Sequence, residues 1–255
     1  GERYPQRNVE IGPEVLRMEG LTHEKLFRDV SFAVRAGEVL GVSGLMGAGR
    51  TEIMQAIFGN LPVRSGRVFI DGQEVHIRNP REAIAAGIGF ITEDRKTEGL
   101  LLEKSIAENI ELCNLGKVSA RRVMSAKKGA ELVKKGIEEF RIKRFGLDHE
   151  CGNLPGGNQQ KVVLAKWIYT DPKILILDEP TRGVDIGAKK EIYSVINDMA
   201  AKGVAVIMVS SELPEVLGMS DRIMVVHEGH VTGIIDGKTA DQAKVMTLAT
   251  GGSLV

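Results

Sequence analysis

The chain has 255 residues, 43% hydrophobic and 27% charged, with Lys+Arg and Asp+Glu balanced at 34 each. These proportions describe an ordinary globular chain, long enough for one large domain or two small ones. Balanced charge gives no general reason to expect a nucleic-acid or anionic-membrane surface, and no apolar run approaches the roughly 20 residues of a membrane span. Two cysteines, Cys113 and Cys151, lack metal-ligand spacing and read as free thiols in a reducing compartment. No signal peptide is visible, and the polar opening Gly1-Glu2-Arg3-Tyr4-Pro5-Gln6-Arg7 is expected to lead into an excised domain of a longer protein.

Residues 1–14 read as linker. The stretch 15–19 alternates like a strand, as does 27–34 through Val30, Phe32 and Val34. Gly37-Glu38 turns the chain into the apolar run 39–42. Next comes Gly44-Leu45-Met46-Gly47-Ala48-Gly49-Arg50-Thr51, which opens the helical pattern 52–58. Gly59-Asn60-Leu61-Pro62 stops that helix. Two short strands within 65–75 join at Asp71-Gly72, a hairpin signal. A short helix at 79–87 has proline in its first turn and a glycine stop, and 88–91 is a strand. From about 98 to 157 the pattern turns helical and charge-rich, the mark of a subdomain inserted between strands. Residues 160–169 form a helix with Trp167 on its core face. The buried strand 173–177 ends in Asp178-Glu179-Pro180-Thr181, and 188–201 is a helix. The continuous apolar strand 204–209 is typical of a parallel sheet covered on both faces. A short helix at 214–219 precedes strands 222–226 and 230–235, joined at Glu228-Gly229, and 251–255 reads as a frayed tail. His76, His149 and the pairs Lys127-Lys128 and Lys134-Lys135 read as solvated surface groups.

Strand, glycine-rich loop and helix is the layout of a phosphate-binding loop. Its glycines let backbone N–H groups converge on phosphate oxygens, and the helix adds its positive dipole end. The octet matches G-x-x-x-x-G-K-[ST] except that Arg50 stands where lysine is usual. Thr51 keeps the hydroxyl offered to Mg²⁺. Arginine keeps the charge on a broad, forked group, so Arg50 holds phosphate in a different place or holds it out. A ligand-free turn before a helix is the alternative for the octet alone. Asp178 and Glu179 fall at the end of a parallel strand, where α/β sheets bind ligands. Asp178 is placed to hold Mg²⁺ through water and Glu179 to polarise an attacking water. Solvated acids capping a strand end are the bland alternative. Leu154-Pro155-Gly156-Gly157-Asn158-Gln159-Gln160-Lys161 presents two glycines and amides at a helix start, either a second phosphate-facing surface or an ordinary helix entry.

In order, the glycine loop, helical insert, Leu-x-Gly-Gly-x-Gln, strand-Asp-Glu and strand-Ser-Ser-Glu resemble the nucleotide-binding domain of ABC transporters, across essentially the whole chain from Val15. Thr92-Glu93-Asp94-Arg95-Lys96, Pro180-Thr181-Arg182-Gly183-Val184-Asp185 and Ser210-Ser211-Glu212-Leu213-Pro214-Glu215 are similar to one branch, the C-terminal ATPase half of bacterial monosaccharide importers. The ribose type is nearest, with galactose, xylose and arabinose types left open.

The resemblance implies an α/β fold of P-loop NTPase, ABC type, over residues 15–250: a mainly parallel sheet core, an N-terminal antiparallel β subdomain and the helical insert. It implies ATP and Mg²⁺ as cofactors. Gly44, Leu45, Met46, Gly47, Ala48, Gly49, Arg50, Thr51 and Glu52 would bind ATP, with Glu179 catalytic and Thr51, Asp178 and Glu93 near the metal. Pro155, Gly156, Gly157, Asn158 and Gln159 would complete a second ATP site across a head-to-tail pair with the N-terminal half of the same protein. Glu93 matches the usual glutamine that touches Mg²⁺ and couples to the membrane permease; a carboxylate there repels phosphate without the metal. Ser211 falls where a histidine normally senses the γ-phosphate, and its hydroxyl is shorter and cannot carry charge. Asp185 matches the acid that bridges the two domains, and Pro155 replaces a usual serine. Arg50, Glu93 and Ser211 alter one site while Glu179 is kept, which implies a site that binds nucleotide and hydrolyses it slowly or not at all. The other implied partner is a periplasmic or extracellular sugar-binding protein, indirectly, with no nucleic acid. The implied place is the cytoplasmic side of the cell membrane, peripherally. A catalytically quiet regulatory or dimerisation module, and a soluble non-transport ABC ATPase, stay open as alternatives. Phe27 and His23 are the candidates for stacking on adenine.

Overall fold

A computed structural model describes residues 4–92 and 171–255. The expected helical insert, the helix at 160–169, both cysteines, Glu93 and residues 155–159 lie outside the described residues. The rest forms two sheets. Strands β1 (Glu14–Thr22), β2 (Val30–Arg35), β4 (Ser65–Ile70) and β5 (Gln73–Val75) make an antiparallel sheet in the order β2-β1-β4-β5. Leu16 and Met18 of β1 sit opposite Val34 and Phe32 on one side and Ile70 and Val68 on the other. Both are almost fully buried, so alternation on β1 fixes which face turns inward.

The second sheet has six strands. Strand β3 (Val39–Gly44) lies at its centre, flanked by β8 (Ala205–Val209) and β9 (Arg222–His227), both parallel to it. Strands β7 (Ile174–Asp178) and β6 (Ile88–Ile91) extend the sheet in parallel beyond β8, and β10 (His230–Asp236) closes the far edge antiparallel to β9. Every residue of β6, β7 and β8 is buried. That is why these strands read as continuous apolar runs rather than alternating ones.

Five helices are described: α1 (Arg50–Ile57), α2 (Pro80–Ala85), α3 (Ile186–Ala201), α4 (Leu213–Met219) and α5 (Gln242–Ala249). Helix α3 buries Ile192, Tyr193, Val195, Ile196, Met199 and Ala200 at helical spacing. Asn79, Asp185 and Asp241 cap α2, α3 and α5 by accepting the N–H three residues on. Helix α5 is not anticipated by the sequence reading. It seats Val245, Leu248 and Ala249 in a small core with Val216, Ile223 and Val225. The two expected hairpins form at Asp71-Gly72 and Glu228-Gly229, and all four turn residues have positive φ, as the twist of such two-residue turns requires.

A half-buried ion pair joins the sheets. Arg222 donates to both carboxylate oxygens of Glu38 at 2.8 Å and to the carbonyl of Ala33 on β2. Before β1, the chain lies against α3 and α4 through Tyr4, Pro5 and Arg7.

Candidate functional site

The site sits where the parallel strands end. Strand β3 feeds the loop 44–50, β7 ends at Asp178-Glu179, and β8, between them, runs into Ser210-Ser211. Side by side, these three ends gather groups that lie far apart in sequence, the usual ligand position of such sheets.

The loop is shaped by its glycines. Gly47 and Gly49 have φ of 79° and 101°. A Cβ on Gly49 would sit 3.2 Å from the Leu26 carbonyl, and one on Gly44 would sit 2.5 Å from the Val226 carbonyl. These two are therefore packing glycines, whereas Gly47 faces nothing within 4 Å among the described residues. The Gly229 N–H donates to the Ala48 carbonyl at 2.8 Å, tying the loop to the β9–β10 hairpin. Leu45 and Met46 are exposed at the tip, and Glu52 lies in the first turn of α1.

Asp178 is fully buried. Thr51 Oγ1 donates to its Oδ2 at 2.9 Å, and its Oδ1 has no hydrogen-bond partner among the described residues. Burial pushes its carboxyl up to about 6, against the pull of the Thr51 hydrogen bond, with adjacent Glu179 adding to the rise. Glu179 has a φ of 52°, an uncommon conformation for a side-chain-bearing residue. Burial raises its carboxyl as well, opposed first by the hydrogen bond from the Ser211 hydroxyl and then by Arg50. Arg182 Nη2 stands 3.9 Å from Glu179 Oε1.

Arg50 is engaged. Its Nη1 donates to the Ser210 carbonyl at 3.0 Å, so the guanidinium ties the start of α1 to the loop after β8. Gly44 to Thr51, Asp178, Glu179 and Ser211 are thus brought together. Asp185 is exposed and caps α3, accepting the Ala188 N–H at 2.9 Å.

A buried carboxylate with a spare oxygen, beside a hydroxyl at a helix start, is a fit donor set for Mg²⁺. Among the described residues no cluster of three or more His, Cys, Asp or Glu could cage a metal alone. A cation here would draw its remaining oxygens from phosphate and water, as Mg²⁺ prefers.

Sequence reasoning gives no role to Glu215 on α4, which is almost fully buried. It accepts hydrogen bonds from Thr181 Oγ1 and from Tyr193 Oη, the latter at 2.5 Å. The available signal was an acid flanking the buried Val216 of a short apolar helix.

A glycine loop at the end of the central strand, an acid pair at the end of β7 and a separate antiparallel sheet define an ATP-binding cassette of the P-loop class. The pattern of the ABC transporter family matches residues 27–182, and the chain belongs to that family. It is 57% identical over 253 residues to the ribose import ATP-binding protein RbsA of Geobacillus kaustophilus (strain HTA426), covering 99% of this chain and 51% of that protein. It is 55% identical over 251 residues to RbsA of Bacillus subtilis (strain 168), covering 98% and 51%. The chain thus spans about half the length of these curated relatives. Among solved structures, the ADP conformation of MJ1267, an ATP-binding cassette of an ABC transporter, superposes with a TM-score of 0.74 at 24% identity, covering 93% of this chain and 95% of that one. The dimeric post-hydrolysis state of the cassette MJ0796, bound to ADP and Pi, gives 0.76 at 21% identity, covering 87% and 98%. At these identities the likeness is one of fold. No helix among the described residues is long and apolar enough to cross a membrane.

Proposed function

We propose that this chain is the C-terminal ATP-binding half of a sugar importer's ATPase, with ribose as the sugar. The nucleotide part rests on one observation: Thr51 bonded to a buried Asp178 whose second oxygen has no partner among the described residues, at the mouth of an open glycine loop. The sugar rests on the names of the half-matching relatives.

In this reading the N–H groups of 44–51 and the α1 dipole hold the phosphates. Thr51 and Asp178 would hold Mg²⁺. Bound Mg²⁺ would offset phosphate charge and the cost of an ionised Asp178. Glu179, oriented by Ser211, is the group able to accept a proton from an attacking water. Arg50 argues for slow turnover, because its guanidinium is committed to the Ser210 carbonyl rather than free over the loop. The productive site would then be the partner half's loop, completed by residues 155–159 of this chain. Glu93 would face the metal and the permease, and Asp185 the partner half. The assembly would work on the cytoplasmic side of the membrane, with a sugar-binding protein feeding the permease.

The test compares single-site changes in the two-half protein reconstituted with its permease. Glu179→Gln is expected to leave ATP turnover within about twofold, whereas the matching change in the other half stops it. A loss of about tenfold or more from Glu179→Gln refutes slow turnover at this site. Failure of the complex to move ribose refutes the sugar.

A further inference from the structure

The segment before β1 is docked at named points. The Tyr4 ring lies 5.1 Å from that of Tyr193 on α3, tilted by 47°. It rests on Gly218 of α4, where a Cβ would come within 2.3 Å of the ring. Arg7 Nη1 donates to Asn197 Oδ1 and its Nη2 pairs with Asp221, each at 2.7 Å, and its side chain is only 9% exposed. Asn197 Nδ2 donates back to the Pro5 carbonyl at 3.1 Å. Together these contacts hold residues 4–7 across both helices.

Tyr193 is also one end of a buried relay. Its hydroxyl donates to Glu215, and Glu215 accepts from Thr181 as well. Thr181 lies two residues after Glu179 in the turn where the Arg182 N–H meets the Glu179 carbonyl. Glu215 lies in the first turn of α4, four residues after Ser211. Lys189 adds a second tie from α3 to Glu212, 3.3 Å away. Tyr4 and Ser211 line one cavity of about 450 Å³. Tyr4, Tyr193, Glu215 and Thr181 are each packed against or hydrogen-bonded to the next, and the backbone turn at 179–182 and the first turn of α4 carry that coupling to the loops of Glu179 and Ser211.

We infer that Glu215 is a positioning residue for the loops carrying Glu179 and Ser211, and that through Tyr193 it links nucleotide occupancy of this site to docking of the strap 4–7. The inference rests on the reading that this site binds nucleotide. Ordering the two loops fixes Thr181 and Glu215, which fixes Tyr193 and the surface that Tyr4 packs on. Linkage is reciprocal, so freeing the strap must weaken nucleotide binding by the same factor by which nucleotide tightens the strap.

Trypsin cleavage after Arg7 reads the strap, because that side chain is held while the strap is docked. The full chain is digested with and without saturating ATP and Mg²⁺, beside calorimetric titration of nucleotide. Nucleotide is expected to slow cleavage about fivefold, and Tyr4→Ala to weaken nucleotide binding by about the same factor. Tyr193→Phe keeps the ring but loses the hydroxyl, and is expected to abolish the nucleotide effect on cleavage. A merely structural strap would lower the Tm of Tyr4→Ala and leave nucleotide affinity alone. Binding of nucleotide with cleavage and Tyr4→Ala affinity both unchanged overturns the linkage and leaves the site standing. No binding by the native chain overturns both.

Discussion

Asp178→Asn in the nucleotide-free protein tests the buried charge directly. A carboxyl moved from 3.8 to about 6 is disfavoured in its ionised form by about 3 kcal/mol on folding. The folded state holds the proton more tightly, so the sign is fixed. The penalty is absent below about pH 4, grows between about pH 4 and pH 6, and is complete above that. Asparagine keeps the shape and an oxygen that accepts from Thr51, but places an amide N–H where Oδ1 has no partner among the described residues. That orphan donor costs about 1 kcal/mol. The variant is therefore expected to be more stable by about 2 kcal/mol near pH 7.5, and less stable by about 1 kcal/mol near pH 4. Urea unfolding at both pH values reads this as a midpoint shift at constant slope. A difference independent of pH, or destabilisation near pH 7.5, would refute the buried-charge argument. Nucleotide with Mg²⁺ should reverse the order near neutral pH, since a cation favours the charged carboxylate over the neutral amide.

Glu38→Gln removes the charge from the pair that joins the sheets while Arg222, about a third exposed, keeps partial hydration. It should lower stability by about 2 kcal/mol, less than for a fully buried pair, and a urea-midpoint change under about 0.5 kcal/mol would count against the joint. Gly66→Ala should cost about 3 kcal/mol or more. Its φ is 110° and the new Cβ would lie 2.5 Å from Leu21 Cα, a backbone atom that cannot step aside. A variant with native Tm would contradict that close approach.

Most of the architecture was legible because its signals are local. The phosphate loop, the Asp-Gly and Glu-Gly turns and the apolar runs of β6, β7 and β8 each follow from short-range sterics or from burial on both faces. Helix α5 escaped notice because it has only three buried residues, and its clearest mark is the Asp241 cap. At the site, the residue types were readable but not their commitments. That Arg50 spends its guanidinium on the Ser210 carbonyl depends on β3 and β8 lying side by side, a contact across 160 positions. The Glu215 relay is hidden for the same reason, since Thr181, Tyr193 and Glu215 meet only through packing of α3 and α4.

The central place of β3 also sets an order of assembly. The antiparallel sheet can close once Val75 exists, because all four of its strands are made by then. The strand that carries the phosphate loop has no such luck: both its neighbours, β8 and β9, begin only at Ala205 and Arg222. At ribosomal rates those partners emerge on the order of ten seconds later. Until then an apolar strand edge stands open in the nascent chain, so a stall before Ala205 exposes the segment that carries the glycine loop.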